Sequence, residues 1–230
     1  MKILAIDSSA VSCSVALSEN EKPICCEFIN NGLTHSQTLM PMVKSVLKKG
    51  KTDIEDVDLF AVTNGPGSFT GVRIGVAAAK GLAFPGDKPC IGISTLELIA
   101  ANIDEEGAIV ISCMDARRNQ IYTASFESVT LERLTEDEAV SIESLEQRIN
   151  SYSKKVYLSG DGARLTYSIL KDKCDNLFLA DEDKIYQNAE KLCALAFKYK
   201  DKAQSSEKLV PTYLRLSQAE RELKKKREKS

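Results

Sequence analysis

A short apolar strand that ends on an acidic turn and doubles back as a second strand occurs twice in this chain, and that repeat limits the fold more than any other feature. Lys2 to Asp7 is apolar and β-prone, Asp7-Ser8-Ser9 is turn chemistry, and Val11 to Leu17 alternates toward a second strand. Ala108 to Met114, Asp115-Ala116-Arg117-Arg118 and Ile121 to Phe126 repeat the plan. Two similar α/β halves are the simplest account, and 230 residues leave room for two small domains or one large one.

Between the repeats the pattern is strand, helix, strand, helix. A strand around Pro23 to Asn30 precedes Asn31-Gly32, and Leu39, Met42, Val43, Val46 and Leu47 then recur at helical spacing until Gly50. Pro41 is tolerated there only near the first turn. A buried strand at Leu59 to Thr63, a turn at Asn64-Gly65-Pro66-Gly67 and a helix from about Thr70 to Phe84 follow. A strand at Cys90 to Ile93 and a short helix at Thr95 to Ala101 come next. Asp104-Glu105-Glu106-Gly107 is the expected boundary, giving subdomains 1–105 and 106–216 and a charged tail, 217–230, read as a solvated, frayed helix. The second subdomain adds a strand at Lys155 to Ser159, the turn Gly160-Asp161-Gly162 with a helix to about Leu170, and a last helix near Asn188 to Tyr199.

Hydrophobic residues at 43% and charged residues at 28% exclude a disordered or fibrous chain. A net charge of −2 lacks the global positive field of a nonspecific nucleic-acid binder, so any RNA partner would find most of its counter-charge elsewhere. Seven cysteines, an odd number without a C-x-x-C pair, read as reduced core residues of a cytosolic protein. The apolar run Ile3 to Ile6 is too short for a signal segment and no later run approaches a membrane span, so a cytoplasmic protein without membrane contact is expected. With a single histidine, His35, multi-histidine metal sites and histidine relays are excluded.

The turn Asn64-Gly65-Pro66-Gly67-Ser68-Phe69-Thr70-Gly71 joins a strand to a helix, where it is either a phosphate cradle or a turn that needs glycine for geometric reasons. It is not a Walker motif, because no Gly-Lys-Ser/Thr follows. Asp7 beside Ser8 offers hard oxygens for a magnesium-bound phosphate, or simply makes a turn. Gly71, Gly75, Ala78, Ala79 and Leu82 form a small-residue stripe whose two glycines cost roughly 1 kcal/mol each against alanine. Close approach of another helix, in the same chain or in a partner, would offset that. Arg117 and Arg118 at a hairpin tip suit a carboxylate or phosphate, or an exposed polar turn.

Together, Ile3-Leu4-Ala5-Ile6-Asp7-Ser8-Ser9, Thr34-His35-Ser36, Gly65-Pro66-Gly67-Ser68-Phe69-Thr70-Gly71-Val72-Arg73-Ile74-Gly75, Met114-Asp115-Ala116-Arg117 and Pro211-Thr212-Tyr213-Leu214-Arg215 resemble the bacterial TsaB family, also called YeaZ. The resemblance implies an α/β actin-like ATPase (ASKHA) fold of two ribonuclease H-like subdomains. It also implies a role in forming N6-threonylcarbamoyladenosine (t6A) 3′ of the anticodon in tRNAs reading codons that begin with A. Such a chain is expected to be the noncatalytic partner of the transferase TsaD, a homodimer when alone, with TsaE acting on the TsaB–TsaD complex and tRNA engaged through that complex. It would carry no cofactor of its own, though ATP or ADP at the partner interface is compatible with the resemblance.

TsaD-like paralogues hold a metal with an H-x-x-x-H pair, and the corresponding segment here is His35-Ser36-Gln37-Thr38-Leu39. A lone imidazole does not replace a chelating pair, so no metal site and no catalytic residue are expected. The expected partner and dimer interface is His35, Leu39, Val43, Gly71, Gly75, Ala78 and Ala79. Asp7, Ser8, Gly65 and Gly67 are the nucleotide-proximal candidates. The competing readings are an actin-fold ATP-dependent phosphotransferase or ATPase using Asp7 and the Gly65 to Gly67 turn, and a glycoprotease-like peptidase, for which no nucleophile–base pair is present.

Overall fold

The computed structural model describes residues 1–215, so the tail at 217–230 lies outside the described residues. The first half contains β1 (Lys2–Asp7), β2 (Cys13–Glu19), β3 (Lys22–Ile29), α1 (His35–Lys49), β4 (Leu59–Gly65), α2 (Phe69–Ala83), β5 (Pro89–Ser94) and α3 (Thr95–Ala100). The second contains β6 (Ile109–Asp115), β7 (Gln120–Glu127), β8 (Glu138–Ser141), α4 (Leu145–Ser151), β9 (Val156–Ser159), α5 (Ala163–Leu170) and β10 (Leu177–Leu179). Strands β5-β4-β1-β2-β3 of one sheet and β10-β9-β6-β7-β8 of the other run in the same order. In each half the first strand pairs antiparallel with the second and parallel with the fourth. The doubled Asp-tipped strand pair is therefore a doubled ribonuclease H-like layout, the plan of the actin-like ATPase fold.

The chain does not stay in its second half. α6 (Ala189–Lys198) places Ala189, Leu192, Cys193, Leu195 and Ala196 against Ile3, Ala5, Ala16 and Leu59 of the first sheet, and β11 (Gln204–Ser205) extends that sheet beside β5. This corrects the expected span 106–216: the apolar face of α6 covers the side of the first sheet that α1 and α2 leave bare, since a sheet buried on both faces needs helices on both. Leu39, Met42, Val43 and Val46 of α1 pack with Val72, Val76 and Ala79 of α2 on the opposite side. α3 joins the halves, its Leu96 and Ile99 meeting Val110, Ala124 and Phe126.

Pro41 sits in the second turn of α1 rather than the first. The proline and Gln37, whose carbonyl loses its helical donor, are both exposed, so water satisfies the group that a buried helix would leave bare. The seven cysteines are free thiols, and Cys13, Cys90, Cys113, Cys174 and Cys193 are buried.

Candidate functional site

The Gly-rich turn after β4 meets the turn after β1. The Ser68 N–H donates to the Ser9 carbonyl at 2.7 Å. Ser68 then caps α2, its Oγ accepting from the Gly71 N–H at 3.2 Å. A Cβ on Gly67 would collide with the Ser9 carbonyl oxygen, and one on Gly71 with the Ser8 carbonyl oxygen, while Ser8 Oγ donates to the Gly71 carbonyl at 2.9 Å. On the other side, a Cβ on Gly65 would collide with the Thr212 carbonyl. These glycines admit the close approach of the chain's own backbone.

Asp7 lies behind that turn, fully buried. Its Oδ1 accepts from the Ser9 N–H at 3.2 Å, Ser9 Oγ at 2.6 Å and Thr63 Oγ1 at 2.5 Å, while Oδ2 has no partner. Burial pushes its carboxyl above the ordinary range against those three hydrogen bonds. The carboxyl group thus ties the β1 turn to the neighbouring parallel strand β4 and does not line the cleft between the halves. Ser8 is buried too, so the two nucleotide-proximal candidates on the β1 turn are packed inside.

The residues expected at the interface fall in different places. Leu39, Val43 and Ala79 belong to the core under the first sheet, and Gly71 and Gly75 face Ser8, with Val62 next to Gly75. The glycine penalty is answered within the chain, by the β1 turn. His35 is half-buried, and its Nε2–H donates to the Ala10 carbonyl at 2.7 Å, tying the start of α1 to the same turn. Leu39, where a second histidine would stand, is 1% exposed among aliphatic side chains. Among the described residues no three His, Cys, Asp or Glu side chains converge on a point that could hold a metal.

What α1 and α2 leave outward is a different set. Leu33 and Met40 are exposed at 55% and 47%, and Phe84, just past α2, at 71%. Ala77 and Gly81 are exposed and Ala78 and Ile74 half-buried. Gly81 is the informative one, because a Cβ there would meet nothing within 4 Å. Unlike Gly71 and Gly75, this glycine has no neighbour in its own chain to justify it.

A cleft of about 530 Å³ separates the halves, bounded by Ser9, Phe69, Asp115, Tyr122, Asp161 and Tyr213. Asp161 Oδ1 accepts from the Asp115 N–H at 3.0 Å. Burial, the larger cause, and the adjacent Asp115 push its carboxyl up to about 6. Arg117, itself exposed, pairs with Asp115 at 3.1 Å within that hairpin tip. Sequence reasoning missed the strap that closes the cleft. The Thr212 N–H donates to the Asn64 carbonyl at 2.6 Å, and Tyr213 stacks on Phe69 at 4.8 Å and accepts from Arg73 Nε at 2.7 Å. Arg215 then donates to the Ala116 carbonyl across the gap at 2.9 Å. The signal was present in Pro211 to Arg215, an aromatic and an arginine in a segment with no periodicity, but nothing local said what it crosses.

Comparison with known proteins accords with this geometry. The family described as "TsaD: tRNA N6-adenosine threonylcarbamoyltransferase" matches residues 31–223. TsaB of Bacillus subtilis, a tRNA threonylcarbamoyladenosine biosynthesis protein, is 34% identical over 225 residues, covering 96% of each chain. TsaB of Escherichia coli is 40% identical over 129 residues, 55% of each. The solved structure of YeaZ from Pseudomonas aeruginosa, 23% identical, superposes with a TM-score of 0.75 over 93% of this chain and 99% of that one. From the doubled sheet, the glycine turn packed on the β1 turn and this near full-length identity, the chain belongs to the TsaB family of tRNA threonylcarbamoyladenosine biosynthesis proteins.

Proposed function

We propose that within t6A biosynthesis this chain is a noncatalytic subunit of the cytoplasm that binds a TsaD-like transferase and supports its threonylcarbamoyl transfer to tRNA. The observation that carries the reading is the filled glycine turn: the Ser68 N–H, which would meet a phosphate at the start of α2, is committed to the Ser9 carbonyl, and Asp7 is buried behind it. A resident nucleotide would have to displace backbone. Any ATP or ADP is therefore assigned to the partner interface, and the tRNA and TsaE to the complex.

The partner surface in this reading is the outward face of α1 and α2: Met40, Ile74, Ala77, Ala78 and Gly81, flanked by Leu33 and Phe84. Small side chains on α2 let a partner helix approach closely, and that contact gives the open Gly81 its reason. Homodimer and heterodimer use the same face and compete for it. Magnesium-dependent ATP turnover is the test. The isolated chain shows none above background, whereas turnover abolished by Asp7→Ala would replace this reading with an ATPase.

A further inference from the structure

One surface feature is unused by either the cleft or the helix face. The end of α6 and the turn after it read Phe197-Lys198-Tyr199-Lys200-Asp201-Lys202, three ammonium groups against one carboxylate in a chain whose net charge is −2. Lys49, Lys154, Lys173 and Lys184 form ion pairs with carboxylates, but among the described residues Lys198, Lys200 and Lys202 form none. They lie instead over aromatic rings: Lys198 and Lys202 over Tyr199 at 5.3 and 4.6 Å, and Lys200 over Phe197 at 4.5 Å, with Lys198 Nζ also donating to the Thr130 carbonyl at 3.3 Å. The Tyr199 ring is fixed by its hydroxyl, which donates to Glu97 Oε1 at 2.7 Å.

Beside this segment is a crevice of about 430 Å³ whose wall includes Tyr199, Lys202, Gln204, Arg133, Asn64 and Gly92. Its wall also includes Ser94 and Glu97, so it lies at the carboxyl ends of β4 and β5, where α2 leaves to one face of the sheet and α3, through Leu98, to the other. Open α/β sheets bind ligands at such divergences. Lysines without a carboxylate partner, clustered beside a polar crevice, are an arrangement that grips a polynucleotide backbone.

We propose that Lys198, Lys200 and Lys202, with Tyr199 and the adjacent crevice, form an RNA contact of this chain, with the lysines on phosphates and an unpaired base in the crevice. It rests on the assignment to tRNA modification and adds the surface by which this subunit meets the tRNA. The site is small, so the chain alone binds weakly and the contact shows mainly in salt dependence.

The test is tRNA affinity of the full chain at 50 and 200 mM salt, for wild type and for Lys198→Gln, Lys200→Gln and Lys202→Gln combined, a change that keeps the side-chain stems on the rings. Three phosphate contacts make the wild type lose about 20-fold more affinity across that interval than the variant. Equal salt slopes, no measurable binding at 50 mM, or a loss seen only on phosphatidylserine vesicles and not on tRNA would each overturn the proposal. Sedimentation of the variant with the transferase is run alongside. Wild-type association there with an unchanged tRNA slope refutes the RNA contact alone, whereas failure of wild type itself to associate refutes the subunit reading.

Discussion

Gly75→Ala places a methyl group 2.6 Å from Ser8 Oγ and 3.3 Å from Val62 Cγ2. Ser8 is 1% exposed, and its hydroxyl donates to the Gly71 carbonyl, so it yields only by breaking a buried hydrogen bond. Leaving that group unsatisfied costs about 1–3 kcal/mol, and replacing a helical glycine by alanine returns about 1 kcal/mol. The variant is thus expected to lose up to about 2 kcal/mol net. In a Ser8→Ala background the hydroxyl is gone, and the same substitution shows only the helix gain. Urea denaturation of the four proteins gives a coupling of about 1–3 kcal/mol. Stabilisation by Gly75→Ala in the presence of Ser8, with no coupling, would refute the claim that this glycine exists for the β1 turn.

Ala77→Arg and Gly81→Arg add charge to the outward face without touching the core, so both leave circular dichroism and unfolding midpoints unchanged while weakening the homodimer and the transferase complex at least about tenfold in sedimentation. His35→Ala removes the donor to the Ala10 carbonyl and costs about 1 kcal/mol of stability, with metal content by mass spectrometry the same as wild type. The Asp161 carboxyl, held near 6 in the folded chain against 3.8 ordinarily, makes the folded state hold more protons than the unfolded one between about pH 4 and 6. Stability therefore falls as pH rises through that window, by at most about 3 kcal/mol. Asp161→Asn keeps the acceptor for the Asp115 N–H and flattens the fall in urea titrations; an unchanged slope would place the proton elsewhere.

The strands with continuous apolar runs and the helices with clear periodicity were legible, because burial on one or both faces writes itself into the residue order. β1, β4, β6 and α2 are in that class. β8 and β10 were not: Glu138–Ser141 is only half-buried and Leu177–Leu179 is three residues long, too little for a period. The small-residue stripe of α2 was legible as a close approach but not its direction, since Gly75 has the same local sequence signature whether it meets Ser8 or a partner. Gly81, the glycine that does face outward, fell outside the stripe. The return of α6 to the first sheet and the passage of Thr212 to Arg215 over the cleft are long-range pairings that no local pattern encodes.

The subunit role is measured most directly as t6A formation on a tRNA substrate from threonylcarbamoyl-AMP, with the TsaD-like transferase and TsaE present and this chain added as wild type, as Ala77→Arg, or alone. Modification is expected with the wild type, its loss with Ala77→Arg in step with lost association, and no product from this chain by itself. Product from the chain alone, or full modification by a variant that no longer associates, would contradict it.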